Sequence, residues 1–129
     1  MLDLTWYYTL NRPPYTPPAW IFSPAWTILY LMIFLSLILY TIKRTNKSKI
    51  WGYVLFILQM IFNLIWTPVF FVFHNIALAL AVIVVLDILV IFNIIEFFGI
   101  SKPAAYLLMP YLLWLIYATY LTAGYFVLN

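Results

Sequence analysis

Four long apolar stretches, separated by short polar breaks, set the pattern of the chain. Read from the residues, they span 19–42, 50–73, 76–98 and 104–128. Each meets the length of roughly 20 apolar residues that a helix needs to cross a bilayer's hydrocarbon core. The breaks are "KRTNKSK" (43–49), "HN" (74–75) and "GISKP" (99–103). Lipid offers backbone groups no water to bond, so helices are the predicted elements. The first stretch does not read as a cleaved signal peptide. It has no basic flank, it is too long, and no small-residue cleavage site follows it. Breaks this short predict that sequential helices are antiparallel neighbours. The expectation is an all-α integral membrane protein, a four-helix bundle forming one membrane domain over 1–129, with no internal repeat.

Composition sharpens that picture. Of 129 residues, 68% are hydrophobic and 7% are charged, where a soluble domain carries about 25% charged. The mean hydropathy is +1.10. Such a chain cannot cover a water-facing surface, so the lipid bilayer is its expected partner and nucleic acid is not. There is no cysteine, which removes disulfides, thiolate catalysis and thiolate metal sites. Lys43, Arg44, Lys47, Lys49 and Lys102 fall in the first and third breaks, and only Arg12 lies on the other side. By the positive-inside rule this places 43–49 and 99–103 in the cytoplasm and both termini outside, as suits a bacterial cell membrane.

Residues 1–18 form a proline-rich entry, and "RPPYTPP" (12–18) cannot be regular helix. Residues before proline are pushed towards extended backbone. Two readings stand. One is an interfacial anchor, with Tyr15, Trp20, Phe22 and Trp26 in the headgroup belt. The other is a rigid lid over the bundle, where preorganisation lowers the entropic cost of closing a site.

The helices carry a second pattern. Gln59, Asn63 and Trp66 lie at i, i+4 and i+7, on one face of the second span. Pro68 follows, and a helix break there frees carbonyls near that face. In the fourth span Pro110, Tyr111, Trp114, Ala118 and Thr122 form another face, and in the first Trp26 and Tyr30 sit at i and i+4. Amides at bilayer depth need partners inside the bundle. They serve either as interhelical glue or, beneath a stiff lid, as the lining of a pocket.

Three segments carry a resemblance. "WYYTLNRPPYTPPAWIFSPAWTILYLM", "QMIFNLIWTPVFF" and "AAYLLMPYLLWLIYATYL" cover Trp6 to Leu121. In order and spacing they are similar to the motifs of the TspO/translocator (tryptophan-rich sensory) family. The resemblance implies a shortened version of that family's five-helix fold, lacking its first helix, and a homodimer. It also implies binding of tetrapyrroles such as porphyrins and haem precursors, or of sterols or drug-like aromatics, with no required cofactor. By motif position the ligand-binding residues are Trp26, Tyr30, Asn63, Trp66, Trp114, Ala118 and Leu121. The lid is Arg12, Pro13, Tyr15, Pro17 and Pro18. Arg12 is a candidate contact for a propionate or, equally, for a lipid phosphate. Tyr15 stands where the family has Trp, Arg12 where it has Lys, and Thr122 where it has Asn. Tyr125 is followed by "FVLN", which lacks the basic residue of the family's sterol motif.

Conventional chemistry is sparse. His74 stands alone in a tight turn and reads as a solvated side chain, so no metal site is expected. Asp87 is deep in the third span, either paired with an amide such as Gln59 or Asn63 or functional in its own right. Three functions follow. The first is a membrane sensor, carrier or regulator that binds tetrapyrroles. The second, implied by some bacterial relatives, is light- and oxygen-dependent porphyrin degradation with Trp26 and Trp114 taking part. The third is a four-helix proton-coupled transporter in which Asp87 supplies the essential carboxylate.

Overall fold

The computed structural model describes residues 5–11, 13 and 22–129. Its elements are α1 (Thr5–Thr9), α2 (Phe22–Ile42), α3 (Ile50–Phe71), α4 (Ile76–Phe98) and α5 (Lys102–Leu128). The last four are long and apolar enough to cross a membrane. At 1.5 Å per residue, even the 21-residue α2 spans the roughly 30 Å hydrocarbon core. α4 is rich in Val and Ile, which are poor helix formers in water. In lipid the need to satisfy every backbone group outweighs that preference.

The ends follow local chemistry. The Asn75 side chain caps α4 by accepting from the Leu78 N–H at 3.0 Å. Pro103 stands in the first turn of α5, where its missing N–H costs nothing. Lysines serve the carbonyl ends of two helices, with Lys49 Nζ donating to the Thr41 carbonyl at 2.7 Å and Lys47 Nζ to that of Gly99 at 3.0 Å. One boundary differs from the sequence reading. α3 is not broken at Pro68 but runs through it to Phe71. It ends where Val72 and Phe73 both donate to the Pro68 carbonyl and Asn75 donates to that of Val69. His74 then reverses the chain at φ 55°. α2 is described from Phe22, residues 19–21 lying outside the described ones, and α1 is a short helix over Thr5–Thr9.

Backbone packing runs in the order α3–α4–α5–α2. This corrects the expectation that each helix packs on the next in sequence, because α2 leans chiefly on α5. Small residues permit the close approach: Ala104, Ala105 and Ala118 of α5 are buried among Leu108, Tyr111 and Leu115. The buried Ser36 hydroxyl donates to the Ala104 carbonyl at 2.6 Å, tying α2 to α5. α2 meets α3 through side chains. At their linked ends the Tyr40 ring stacks on Phe97 at 4.0 Å and occupies the space a Cβ on Gly52 would need. The Tyr40 hydroxyl donates to the Lys49 carbonyl at 3.0 Å. Outward-facing residues such as Ile28, Leu31, Phe34, Ile61 and Leu64 remain exposed and apolar, as suits a surface solvated by lipid.

Candidate functional site

A polar chain crosses the apolar interior at mid-height. Gln59 and Asn63 share one face of α3 and are 0% and 4% exposed. Tyr111 of α5 reaches between them. Its hydroxyl accepts from Asn63 Nδ2 at 2.7 Å and donates to Gln59 Oε1 at 2.8 Å. Asn63 Oδ1 accepts from the Tyr30 hydroxyl of α2 in a short bond. Three helices are thereby joined around two amides, as burial of polar groups in an apolar medium requires. Two buried donors on this α3 face, Gln59 Nε2 and Trp66 Nε1, have no partner.

Aromatic rings flank the chain. Trp26 stacks on Tyr30 at 5.6 Å between centroids and meets Trp114 edge-on at 6.2 Å. Trp66 stacks on Phe70 at 5.4 Å. Trp26, Tyr30, Trp66 and Trp114 are half-buried and pack against the core that contains Ala118. Leu121 belongs instead to a second cluster with Tyr7, Val69, Phe70, Ala79 and Tyr125, which Trp66 also touches. The structure therefore joins Trp26, Tyr30, Asn63 and Trp114 directly. Trp66 bridges the two clusters, and Leu121 stands with the second of them. Along the seam between α2 and α5 runs an open groove of ≈ 490 Å³, lined by Ala25, Ile28, Leu29, Pro110, Leu113, Trp114 and Tyr117.

At the His74 end the N-terminal segment is fastened over the bundle. Trp6 stacks on His74 at 4.2 Å and touches Phe70 edge-on at 5.5 Å. The Tyr125 hydroxyl donates to that of Tyr7 at 2.9 Å. Asn11 N–H donates to Asn129 Oδ1 at 3.1 Å while Asn129 Nδ2 donates to the Asn11 carbonyl at 3.2 Å. Pro13 is buried and fills the place a Cβ on Gly124 would need. Of the expected lid only Pro13 is among the described residues; Arg12, Tyr15, Pro17, Pro18 and Trp20 lie outside them.

Asp87 does not pair with Gln59 or Asn63. Its Oδ2 lies 2.6 Å from the Thr119 hydroxyl of α5. The reason is the helix order: Asp87 sits on the α5-facing flank of α4, whereas the amides point from α3 towards Tyr111. Among the described residues no three His, Asp or Glu side chains gather as metal ligands. Thr119 has no role in the sequence pattern, and Tyr111 stands there on the Trp114 face without a named partner. Tyr111 follows Pro110 on the Trp114 face, a visible signal of its position. Nothing in the pattern marked Thr119.

Residues 2–128 match the model of the TspO/MBR family. The chain is 40% identical to the tryptophan-rich protein TspO of Chlorobaculum tepidum, over 97% of its own length and 80% of that relative's. It is 38% identical to the tryptophan-rich protein TspO of Archaeoglobus fulgidus over the same shares of each. The match to the translocator protein of Bos taurus is 32% identical, over 88% of this chain and 68% of the other.

Proposed function

The chain belongs to the TspO/MBR family, and on that premise we propose that it binds a tetrapyrrole, a porphyrin or haem precursor, among α2, α3 and α5 as a membrane sensor, carrier or regulator. It is an integral membrane protein by its four apolar helices and its family. One observation carries the reading. Gln59 Nε2 and Trp66 Nε1 are buried donors without acceptors, on the α3 face that also bears Asn63. A buried unpaired donor costs about 1–3 kcal/mol. A ligand that supplies carbonyl or carboxylate acceptors recovers that cost. The half-buried Trp26, Tyr30 and Trp114 supply ring faces for a flat macrocycle. Ala118 leaves room beside them, and by motif position Arg12, Pro13, Tyr15, Pro17 and Pro18 are assigned in this proposal to the lid, with Arg12 a contact for a propionate or a lipid phosphate.

The basic residues of 43–49 and Lys102 support an orientation with those loops cytoplasmic and the termini outside, in a cell membrane of bacterial type. Homodimerisation belongs to the same reading, and the mass of the detergent-solubilised protein tests it.

A protoporphyrin IX titration in detergent decides the ligand reading. Saturable quenching of tryptophan fluorescence, weakened in Gln59→Leu and Trp66→Phe, is the expected result. The absence of saturable quenching removes the proposal. The edge-on contact of Trp26 with Trp114 supports the second reading, in which illumination under oxygen oxidises these indoles and degrades the bound porphyrin. An unchanged porphyrin spectrum after illumination discards it.

A further inference from the structure

The Thr119 hydroxyl has one proton and two close acceptors. Asp87 Oδ2 is 2.6 Å away and the Leu115 carbonyl 2.8 Å. Both contacts are full hydrogen bonds only if Asp87 carries a proton on Oδ2 and donates it to Thr119 Oγ1, while Thr119 donates its own to Leu115. With a carboxylate the single hydroxyl proton would have to be shared between the two acceptors. The other carboxyl oxygen, Oδ1, is buried and has no partner. An ionised carboxylate in an apolar medium requires a cation or several donors. The helices packed on α4 are α3 and α5. α5 faces this stretch with Thr119 and the Tyr111 phenol, while the Gln59 and Asn63 amides of α3 are engaged with Tyr111. Among the described residues, the one cation in either helix is Lys102 at the far start of α5, and Glu96 lies on α4 itself at its last turns.

We propose that the α4–α5 seam is a proton-binding site built from Asp87 and Thr119 and occupied at neutral pH. The bound proton sits on Asp87 Oδ2 and completes a relay from Asp87 through Thr119 to the Leu115 carbonyl. Leu115 lies one turn from Tyr111, so the relay shares a helix face with the polar chain at mid-height. Removing the proton places a charge beside Thr119 with a single donor, so the seam holds together in its protonated form. This inference stands apart from the ligand reading, because it uses none of that reading's residues as contacts.

Infrared spectroscopy of the full chain in lipid vesicles at neutral pH tests it. Asp3 and Asp87 are the two aspartates, so an Asp3→Asn chain made by cell-free synthesis with aspartate ¹³C-labelled at the side-chain carboxyl carries the label at Asp87 alone. The expected spectrum has an isotope-shifted carboxylic-acid C=O band. That band lies at the high-frequency end of its range because Oδ1 accepts no hydrogen bond. It moves in heavy water, changes position in Thr119→Val and is lost in Asp87→Asn. A labelled carboxylate band at neutral pH, with no acid C=O band, overturns the proposal, and that reading needs no variant of Asp87 to fold.

Discussion

Trp26 of α2 and Trp114 of α5 meet edge to face, 6.2 Å between ring centroids at an interplanar angle of 84°. Trp26 also stacks on Tyr30, and Trp114 also meets Tyr117 edge-on. Aromatic pairs of this kind contribute ~0.5–1.5 kcal/mol beyond their burial. Trp26→Phe and Trp114→Phe are each expected to weaken protoporphyrin IX binding roughly two- to tenfold. The Soret absorbance shift measures this without depending on the deleted fluorophore. Unchanged affinity in both variants moves the ligand elsewhere.

Tyr111 serves two amides and Tyr30 serves one. Tyr111→Phe leaves Gln59 and Asn63 each short of a partner, at a cost of about 1–3 kcal/mol. Tyr30→Phe is expected to cost less. Thermal unfolding in detergent compares them, and equal midpoints for the two variants contradict the assigned network.

Gly52 matters through Tyr40. The ring fills the space a Cβ needs, and it is held there by stacking on Phe97. Gly52→Ala is therefore expected to destabilise the bundle by about 1–3 kcal/mol, as overpacking does. Combined with Tyr40→Leu, the loss is expected to be smaller than the sum of the two single changes, because one collision underlies both. Strict additivity in the unfolding free energies argues against the contact.

The N-terminal segment is held by the reciprocal bonds of Asn11 and Asn129. Asn129→Ala removes both. At ~1 kcal/mol for a net hydrogen bond, exchange of the Asn11 amide hydrogen is expected to quicken roughly fivefold or more. Hydrogen–deuterium exchange reads this, with the amides of Leu86 and Val90 in α4 as an unaffected internal reference.

The four spans were legible because lipid demands length and apolarity, and both are visible along a single chain. α4 runs over Ile76–Phe98, between the His74 turn and Gly99. α3 ends at Phe71, because Phe73, although apolar, belongs to the turn that His74 closes. Pro68 misled for a related reason: a proline near a helix end removes one bond without ending the helix. The face of Gln59, Asn63 and Trp66 was visible from periodicity alone. The partners of these residues were not, since they depend on which helices adjoin. Neighbouring order in sequence suggested α3 or its amides for Asp87. The order α3–α4–α5–α2 supplies Thr119 instead.

That order also bears on how the protein is made. α2 leaves the ribosome before α3 and α4, yet its principal support, α5, follows both of them. At roughly 5–20 residues per second, the segment from Lys43 to Ser101 imposes several seconds during which the Ser36 hydroxyl has no Ala104 to meet. Docking of α2 on its principal neighbour thus waits for α5 to emerge, so closure of the bundle is timed by a helix that lies far downstream of the one it secures.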